Sequence, residues 1–153
     1  MLEACPCGRG DYHSCCQPLH LAVQKASSAE QLMRSRYSAF AKQQIRYIQA
    51  TTALGQQANL DLPALAAWST SNQWHQLELL EVNEKLDKQH AMVEFKAYYV
   101  HDGQAEIHHE RSYFVKRNEQ WYFLDPTLAL PSMKQPCICG SDKKFKQCCA
   151  QFL

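Results

Sequence analysis

The sequence predicts an α+β fold in which an antiparallel sheet packs on a long N-terminal helix, flanked by two small cysteine knuckles. Between Ala29 and Ala50 apolar residues recur at three-to-four spacing, at Met33, Tyr37, Phe40, Ala41 and Ile48, which is the stripe of an amphipathic helix. After Trp74 the period changes to two, in four runs separated by turn-forming residues. A helix first and strands afterwards is the order of an α+β domain, with the helix covering one sheet face. All eight cysteines lie at the two ends of the chain, and residues 17–136 contain none.

Each element has local support. Ser27 or Ser28 can cap the long helix, with Glu30 or Gln31 placed for a capping box, and the pattern stops at Thr51, Thr52 and Gly55. A shorter helix is expected over Leu62 to Trp68, started by Asp61 with Pro63 in its first turn. Strands are expected at Leu77–Val82, Ala91–His101, Glu106–Lys116 and Gln120–Leu124, with turns at residues 83–88, Asp102-Gly103 and residues 117–119. The last three strands read as a hairpin meander. Trp68, Trp74 and Trp121 are assigned to the core, because no basic run interleaves with them to make a stacking platform.

The cysteines form two near-copies of one pattern, Cys5-Pro-Cys7 with Cys15-Cys16 and Cys137-Ile-Cys139 with Cys148-Cys149. Both copies share C-x-C-G, an aromatic residue three positions before the third cysteine, and a closing Cys-Cys. A tetrahedral zinc ion, with Zn–S bonds of about 2.3 Å, needs four donors converging on one point. Gly8 and Gly140 would let the chain fold back tightly after the second donor. Asp11 and Ser141-Asp142 are candidate caps of a small helix carrying Tyr12 or Phe145 one turn before the second pair. Four protein sulfurs leave no open coordination position, so such sites are closed and structural. Two zinc ions per chain are therefore expected, held by Cys5, Cys7, Cys15 and Cys16 and by Cys137, Cys139, Cys148 and Cys149. Disulfides, or a redox role for the vicinal pairs, are the competing readings.

Composition sets further bounds. At 153 residues, with 46% apolar and 20% charged residues, the chain fits one ordinary soluble domain that buries a core without staples. No run approaches the ~18 apolar residues of a membrane span. Met1 to Cys5 carries neither a basic region nor an apolar stretch, so no secretory signal is read and a reducing cytoplasm is expected. That compartment favours metal-binding thiols over disulfides. The formal charge is +1, and two four-thiolate zinc sites would bring it to about −3. A nucleic-acid surface is therefore not indicated beyond one local patch, Lys143, Lys144 and Lys146.

Both ends of the chain resemble the zinc-binding SEC-C motif, C-x-C-x8-C-[CH], found at the C-terminus of the preprotein translocase ATPase SecA. The C-terminal copy keeps that spacing and the run Cys139-Gly-Ser-Asp-Lys-Lys-Phe145, with Ile138 and Asp142 where the family has Pro and Gly. The N-terminal copy is one residue shorter and lacks the lysine pair. Met33 to Phe40 and Glu110 to Asp125, taken with Cys-Pro-Cys-Gly near residue 5, resemble the YchJ family over nearly the whole chain. The resemblance implies a middle domain similar to the nuclear-transport-factor-two-like cone, a curved sheet wrapped on a long helix that often leaves a pocket. It implies three units: an N-terminal knuckle over 1–20, the cone over 28–130 and a C-terminal knuckle over 135–153. In SecA-like relatives the motif is similar to a docking surface for the chaperone SecB and for ribosomes.

Three functions follow as expectations. The first is a cytoplasmic adaptor that docks on a protein or the ribosome through Lys143, Lys144 and Lys146. A second is a small-ligand or enzymatic cone with an interior near Tyr37, Phe40, Glu110 and Asp125. Strand alternation puts Glu110, Ser112 and Phe114 on one face, taken as the inner one, and a buried Glu110 is expected to pair with Arg34 or Arg36 rather than to act as a base. The histidines are assigned ordinary surface or core roles, and adjacent His108 and His109 must face opposite sides of the sheet. The third is a thiol sensor that loses zinc on oxidation.

Overall fold

The computed structural model describes residues 2–153. A single-turn helix α1 (Gln17–His20) follows the first cysteine cluster, and α2 (Ala29–Ala41) follows it across a short loop. Ser28 caps α2 by accepting a hydrogen bond from the Gln31 amide at 3.0 Å, and Gln31 reaches back to accept from Ser27 N and Oγ. A second cap comes from far along the chain. The Glu84 carboxylate accepts from the Ala29 and Glu30 amides at 2.9 and 3.0 Å, placing an anion at the positive end of the helix.

The expected helix over residues 29–50 is two helices, with α3 at Ile45–Ala50. Gln43 adopts a left-handed backbone with φ of 55°, and the Gln44 amide donates to Ala39 O at 2.8 Å, closing α2 with a Schellman motif. The apolar stripe continues across the break because α3 turns back on the same core, where Ile48 is buried. Helix α4 (Leu62–Ser71) runs three residues beyond the expected end, and Asp61 caps it by accepting from the Ala64 amide. Among the described residues no helix is long and apolar enough to cross a membrane.

The sheet is a four-stranded antiparallel meander in the order β1 (Asn72–Asn83), β2 (His90–His101), β3 (Gln104–Arg117) and β4 (Gln120–Leu124). Strand β1 begins five residues before the expected start, and irregular register between Trp74 and Gln76 and between Leu79 and Glu81 obscures its alternation. Asp102-Gly103 and Asn118-Glu119 both have positive φ at both positions, the type I′ geometry that suits two-residue hairpins.

The knuckles are built into the core rather than strung beside it. Cys5, Cys7, Tyr12 and Cys16 share one buried cluster with Leu32, Met33 and Tyr37 of α2 and with Phe95 and Phe114 of the sheet. Cys137, Cys139, Cys148 and Cys149 share a second with Ala53, Val115, Tyr122 and Leu124. Trp121 is buried, whereas Trp68, expected in the core, is 40% exposed: its indole lies against Trp74, Tyr99 and His101 and lines the cavity with one side open to solvent.

Candidate metal centres and interior cavity

The two knuckles have the same backbone. In the first, Ala4 bridges Asp11 and the Cys5 amide donates to Gly10 O; in the second, Pro136 bridges Lys144 and the Cys137 amide donates to Lys143 O. Gly8 and Gly140 have φ of 88° and 85°, which turns the chain so that the second cysteine of each pair faces the later two. Gly10 and Asp142 take the next left-handed position, φ 64° and 67°. The residue by which the N-terminal loop is shorter is thus missing between that position and the bridge. The helix expected before the second cysteine pair is a 3-10 turn, Phe145–Gln147, in the C-terminal knuckle. In the N-terminal one, hydrogen-bonded turns fill that place and α1 starts only after Cys16, because Asp11 caps the turn through the Ser14 amide.

Within each cluster the four sulfurs all lie within 4.8 Å of one another. Cys7 and Cys15 are 3.5 Å apart and Cys15 and Cys16 3.9 Å; Cys139 and Cys148 are 3.5 Å apart and Cys148 and Cys149 3.8 Å. A tetrahedron with metal–sulfur bonds of about 2.3 Å has edges of about 3.8 Å, so these separations suit a four-coordinate thiophilic ion. All eight thiols are free.

Proton sharing inside each cluster is uneven. Hydrogen bonds from Cys16 and Cys7 hold the Cys5 thiol well below its ordinary pKa, against the effect of burial. Hydrogen bonds from Cys137 and Cys149 do the same for Cys139, with Ser141 and Arg117 adding to them. Their partners move the other way: bonding to Cys5 pushes Cys16 up, bonding to Cys137 pushes Cys149 up, and burial carries Cys15 to about 12. A metal entering either cluster must displace those protons.

The surroundings of the two clusters differ. A divalent ion with four thiolates carries a net charge of −2, which is costly to bury unless cations and N–H donors face it. Arg117 of β3 supplies them to the C-terminal cluster, donating from Nε and Nη2 to Cys139 Sγ at 3.2 and 2.9 Å and from Nη2 to Cys148 Sγ at 3.2 Å. Burial works against its charge, but the bond to Cys139 and the neighbouring sulfurs raise its pKa on balance. His90 of β2, its Nδ1 held by Asp87 at 2.9 Å, presents Nε2 to Cys149 Sγ at 3.3 Å. At the N-terminal cluster the only non-cysteine side chain on a sulfur, among the described residues, is Ser38, 3.5 Å from Cys5. Arg34, expected near Glu110, instead donates to Cys7 O at 3.0 Å and pairs with Glu30. Cys15 is the one partly exposed thiol of the eight.

No local pattern in the sequence marks Arg117 or His90, the latter one of the histidines expected in ordinary surface or core roles. Each reaches sulfurs at least 22 positions away in the chain, so only the sheet register brings them together.

Lys143, Lys144 and Lys146 all point to solvent and make no ion pair among the described residues. Lys134 joins them, since the Lys146 amide donates to Met133 O and the Phe145 amide to Gln135 O. Met133 beside them is 56% exposed.

The interior of the sheet holds a cavity of about 200 Å³ lined by, among others, Tyr37, Phe40, Glu110 and Asp125. Ser112 and Phe114 line it with Glu110, so the three share the inner face. Glu110 makes no ion pair with an arginine; His108 lies 3.0 Å from one carboxylate oxygen and the Ser112 hydroxyl donates to the other. Burial would raise the Glu110 pKa, but those two bonds and the Arg36 charge outweigh it and hold the carboxyl below its usual value. Arg36 is occupied elsewhere: it donates to Ile48 O at 2.9 Å and Thr51 Oγ1 at 2.8 Å and lies 4.4 Å from the Phe123 ring centroid. His109 turns to the opposite face and meets Glu94. Asp125 spends its carboxylate on Thr127 N and Oγ1 at the cavity edge.

Taken together, a helix-backed antiparallel meander with an interior cavity and a four-cysteine cluster at each end defines a nuclear-transport-factor-two-like protein with candidate metal knuckles. The family comparisons give the same class: residues 28–126 match the profile described as YchJ, middle NTF2-like domain, and residues 133–151 match the SEC-C motif. The UPF0225 protein of Haemophilus influenzae strain PittEE is 47% identical over 152 residues, covering 99% of this chain and 94% of that protein. The UPF0225 protein of Actinobacillus succinogenes is 44% identical over 154 residues, with both chains fully covered. The chain belongs to the UPF0225 family, with its YchJ-type middle domain and SEC-C motif. The crystal structure of a SEC-C motif containing protein from Psychrobacter arcticus superposes with a TM-score of 0.89 at 42% identity, over 97% of this chain and 96% of that one. A solution structure of a SEC-C motif containing protein from Rhodopseudomonas palustris gives 0.73 at 35% identity, over 82% and 96%.

Proposed function

We propose that the chain is a cytoplasmic docking protein whose two cysteine clusters each hold a structural zinc ion and whose C-terminal knuckle presents a basic face to an acidic protein or ribosomal partner. The observation that carries this reading is the set of exposed, unpaired lysines, Lys134, Lys143, Lys144 and Lys146, around exposed Met133 on a knuckle whose four sulfurs are all buried. A closed four-thiolate site supplies no open coordination position for chemistry, so the ion's contribution is to hold that face rigid. Clustered lysines steer an acidic partner and an exposed methionine adds adaptable apolar contact. Zinc fits the donor set better than harder ions, because thiolates are soft ligands and four of them converge within 4.8 Å of one another.

The thiol-sensor reading is left with little surface to act on, since seven of the eight sulfurs are buried and only Cys15 is partly exposed. Freshly purified protein should contain about two zinc ions per chain. In the metal-loaded protein, Lys143→Glu combined with Lys144→Glu should abolish partner capture at physiological salt while leaving metal content and far-ultraviolet dichroism unchanged. Capture that survives the double charge reversal overturns the docking assignment.

A further inference from the structure

We propose that the interior cavity is a binding site for an uncharged, single-ring molecule bearing both a hydrogen-bond acceptor and a donor, the chemistry of a small aromatic amide. The inference is independent of the docking reading, which concerns a different surface.

Size sets the first limit. The cavity measures about 200 Å³, and one of about 150 Å³ already takes benzene. One ring with a polar substituent fits, whereas a whole nucleotide exceeds that volume. The walls set the second. Phe40, Trp68, Trp74, Phe95, Phe114 and Phe123 all line the space, and such a lining favours a planar ring through face and edge contacts.

Hydrogen bonding supplies the third limit. Tyr37 Oη and Trp74 Nε1 are buried and have no partner, and both side chains line the cavity. The Tyr37 oxygen faces the Gln76 backbone without reaching hydrogen-bond geometry. Folded proteins leave few such groups unsatisfied, and both are donors, so they call for an acceptor on the occupant. On β3 the Glu110 carboxylate calls for a donor, because each of its oxygens retains acceptor capacity beyond His108 and Ser112.

Charge supplies the fourth. The Asp125 carboxylate is committed to Thr127, and the Glu110 charge is set against that of Arg36, whose guanidinium is already engaged by Ile48 O, Thr51 and the Phe123 ring. His108 is taken by Glu110. No uncommitted cation remains to receive a carboxylate or a phosphate, so an uncharged occupant is favoured. The way in lies where lining residues reach solvent, at Trp68, His108, Pro126 and Thr127.

The probe is benzamide, titrated into the full metal-loaded chain while tryptophan fluorescence and ligand-observed NMR are recorded. Saturable binding is expected with a Kd below about 1 mM, within the efficiency open to a ligand of this size. Benzoate, which has the same shape and a negative charge, should bind at least about tenfold more weakly. Ala97→Phe fills the cavity from a buried lining position and should abolish the signal. Tyr37→Phe removes only an oxygen that has no partner, so it should leave stability intact or raise it while weakening benzamide several-fold. Absence of saturation, benzoate binding as tightly as benzamide, or an unchanged Kd in Tyr37→Phe overturns the proposal.

Discussion

At the scale of single residues, Arg117 does more than any other side chain to distinguish the two clusters. Its guanidinium is buried, yet it faces Cys139 and Cys148 with three N–H···S contacts, and Nη1 is anchored by Gln89 Oε1 and Lys116 O. That arrangement compensates the negative charge a tetrathiolate site would carry. Arg117→Met keeps much of the buried length and removes the charge. Outer donors of this kind contribute about 10–100-fold to metal affinity. The variant should release the metal of the C-terminal cluster at correspondingly lower chelator concentration, with the N-terminal cluster unchanged. Chelator competition followed by zinc release checks this, and one unaltered release profile for both sites would count against it. Gln56 is another residue whose role no local pattern announces. Fully buried, it donates to Asp125 O at 2.8 Å and accepts from Asp125 N at 3.0 Å, fastening the end of β4 to the loop after α3.

At the scale of elements, the readable ones were those with strong local signals. Ser28, Asp61, Asp102-Gly103 and the shared inner face of Glu110, Ser112 and Phe114 each sit where caps, turns and period two require them. The break between α2 and α3 was not readable, because its left-handed residue is Gln43 and not glycine. The early part of β1 was hidden for another reason: its irregular register puts Trp74 in the cavity wall without a clean alternation around it. The loop between α3 and α4 makes the closest approach to the C-terminal knuckle. The Gly55 amide donates to Ile138 O at 2.7 Å, and a Cβ there would sit 2.7 Å from that same oxygen and 2.9 Å from Ile138 Cα. Gly55→Ala should therefore destabilise the protein by about 1–3 kcal/mol, the cost of forced overpacking against backbone. Urea unfolding measures it, and a loss below a few tenths of a kcal/mol would mean that the loop moves aside freely.

At the scale of the whole molecule, each knuckle shares a buried cluster with the middle domain, the first through α2 and the second through β3 and β4. Independent beads would lose metal without consequence for the cone. Shared cores make the loss global. With free metal at about a thousandfold its Kd, binding linkage contributes about 4 kcal/mol per site, about 8 kcal/mol for the two, and each kcal/mol moves Tm by about 2–4 °C in a chain of this size. Chelation of both sites should thus lower the midpoint of one cooperative transition by roughly 20 °C in differential scanning calorimetry. A separate early transition with an unmoved main peak would show that the knuckles unfold alone.

The sequence by itself determined the α+β class, the helix-then-strand order and the two sets of four sulfurs, because caps, turns, periodicity and cysteine spacing act over a few neighbouring residues. Tyr37, Phe40, Glu110 and Asp125, expected near one interior, all line the cavity, two of them from the α2 stripe and Glu110 from β3. Only the tertiary structure decided which side chains complete those sites. Arg117 and His90 reach the sulfurs, Glu110 turns to His108 instead of an arginine, and Trp68 stands at the cavity rim. Those outcomes depend on sheet register and on how α2 and α4 sit across it, and such contacts join residues too far apart in the chain for any local pattern to record.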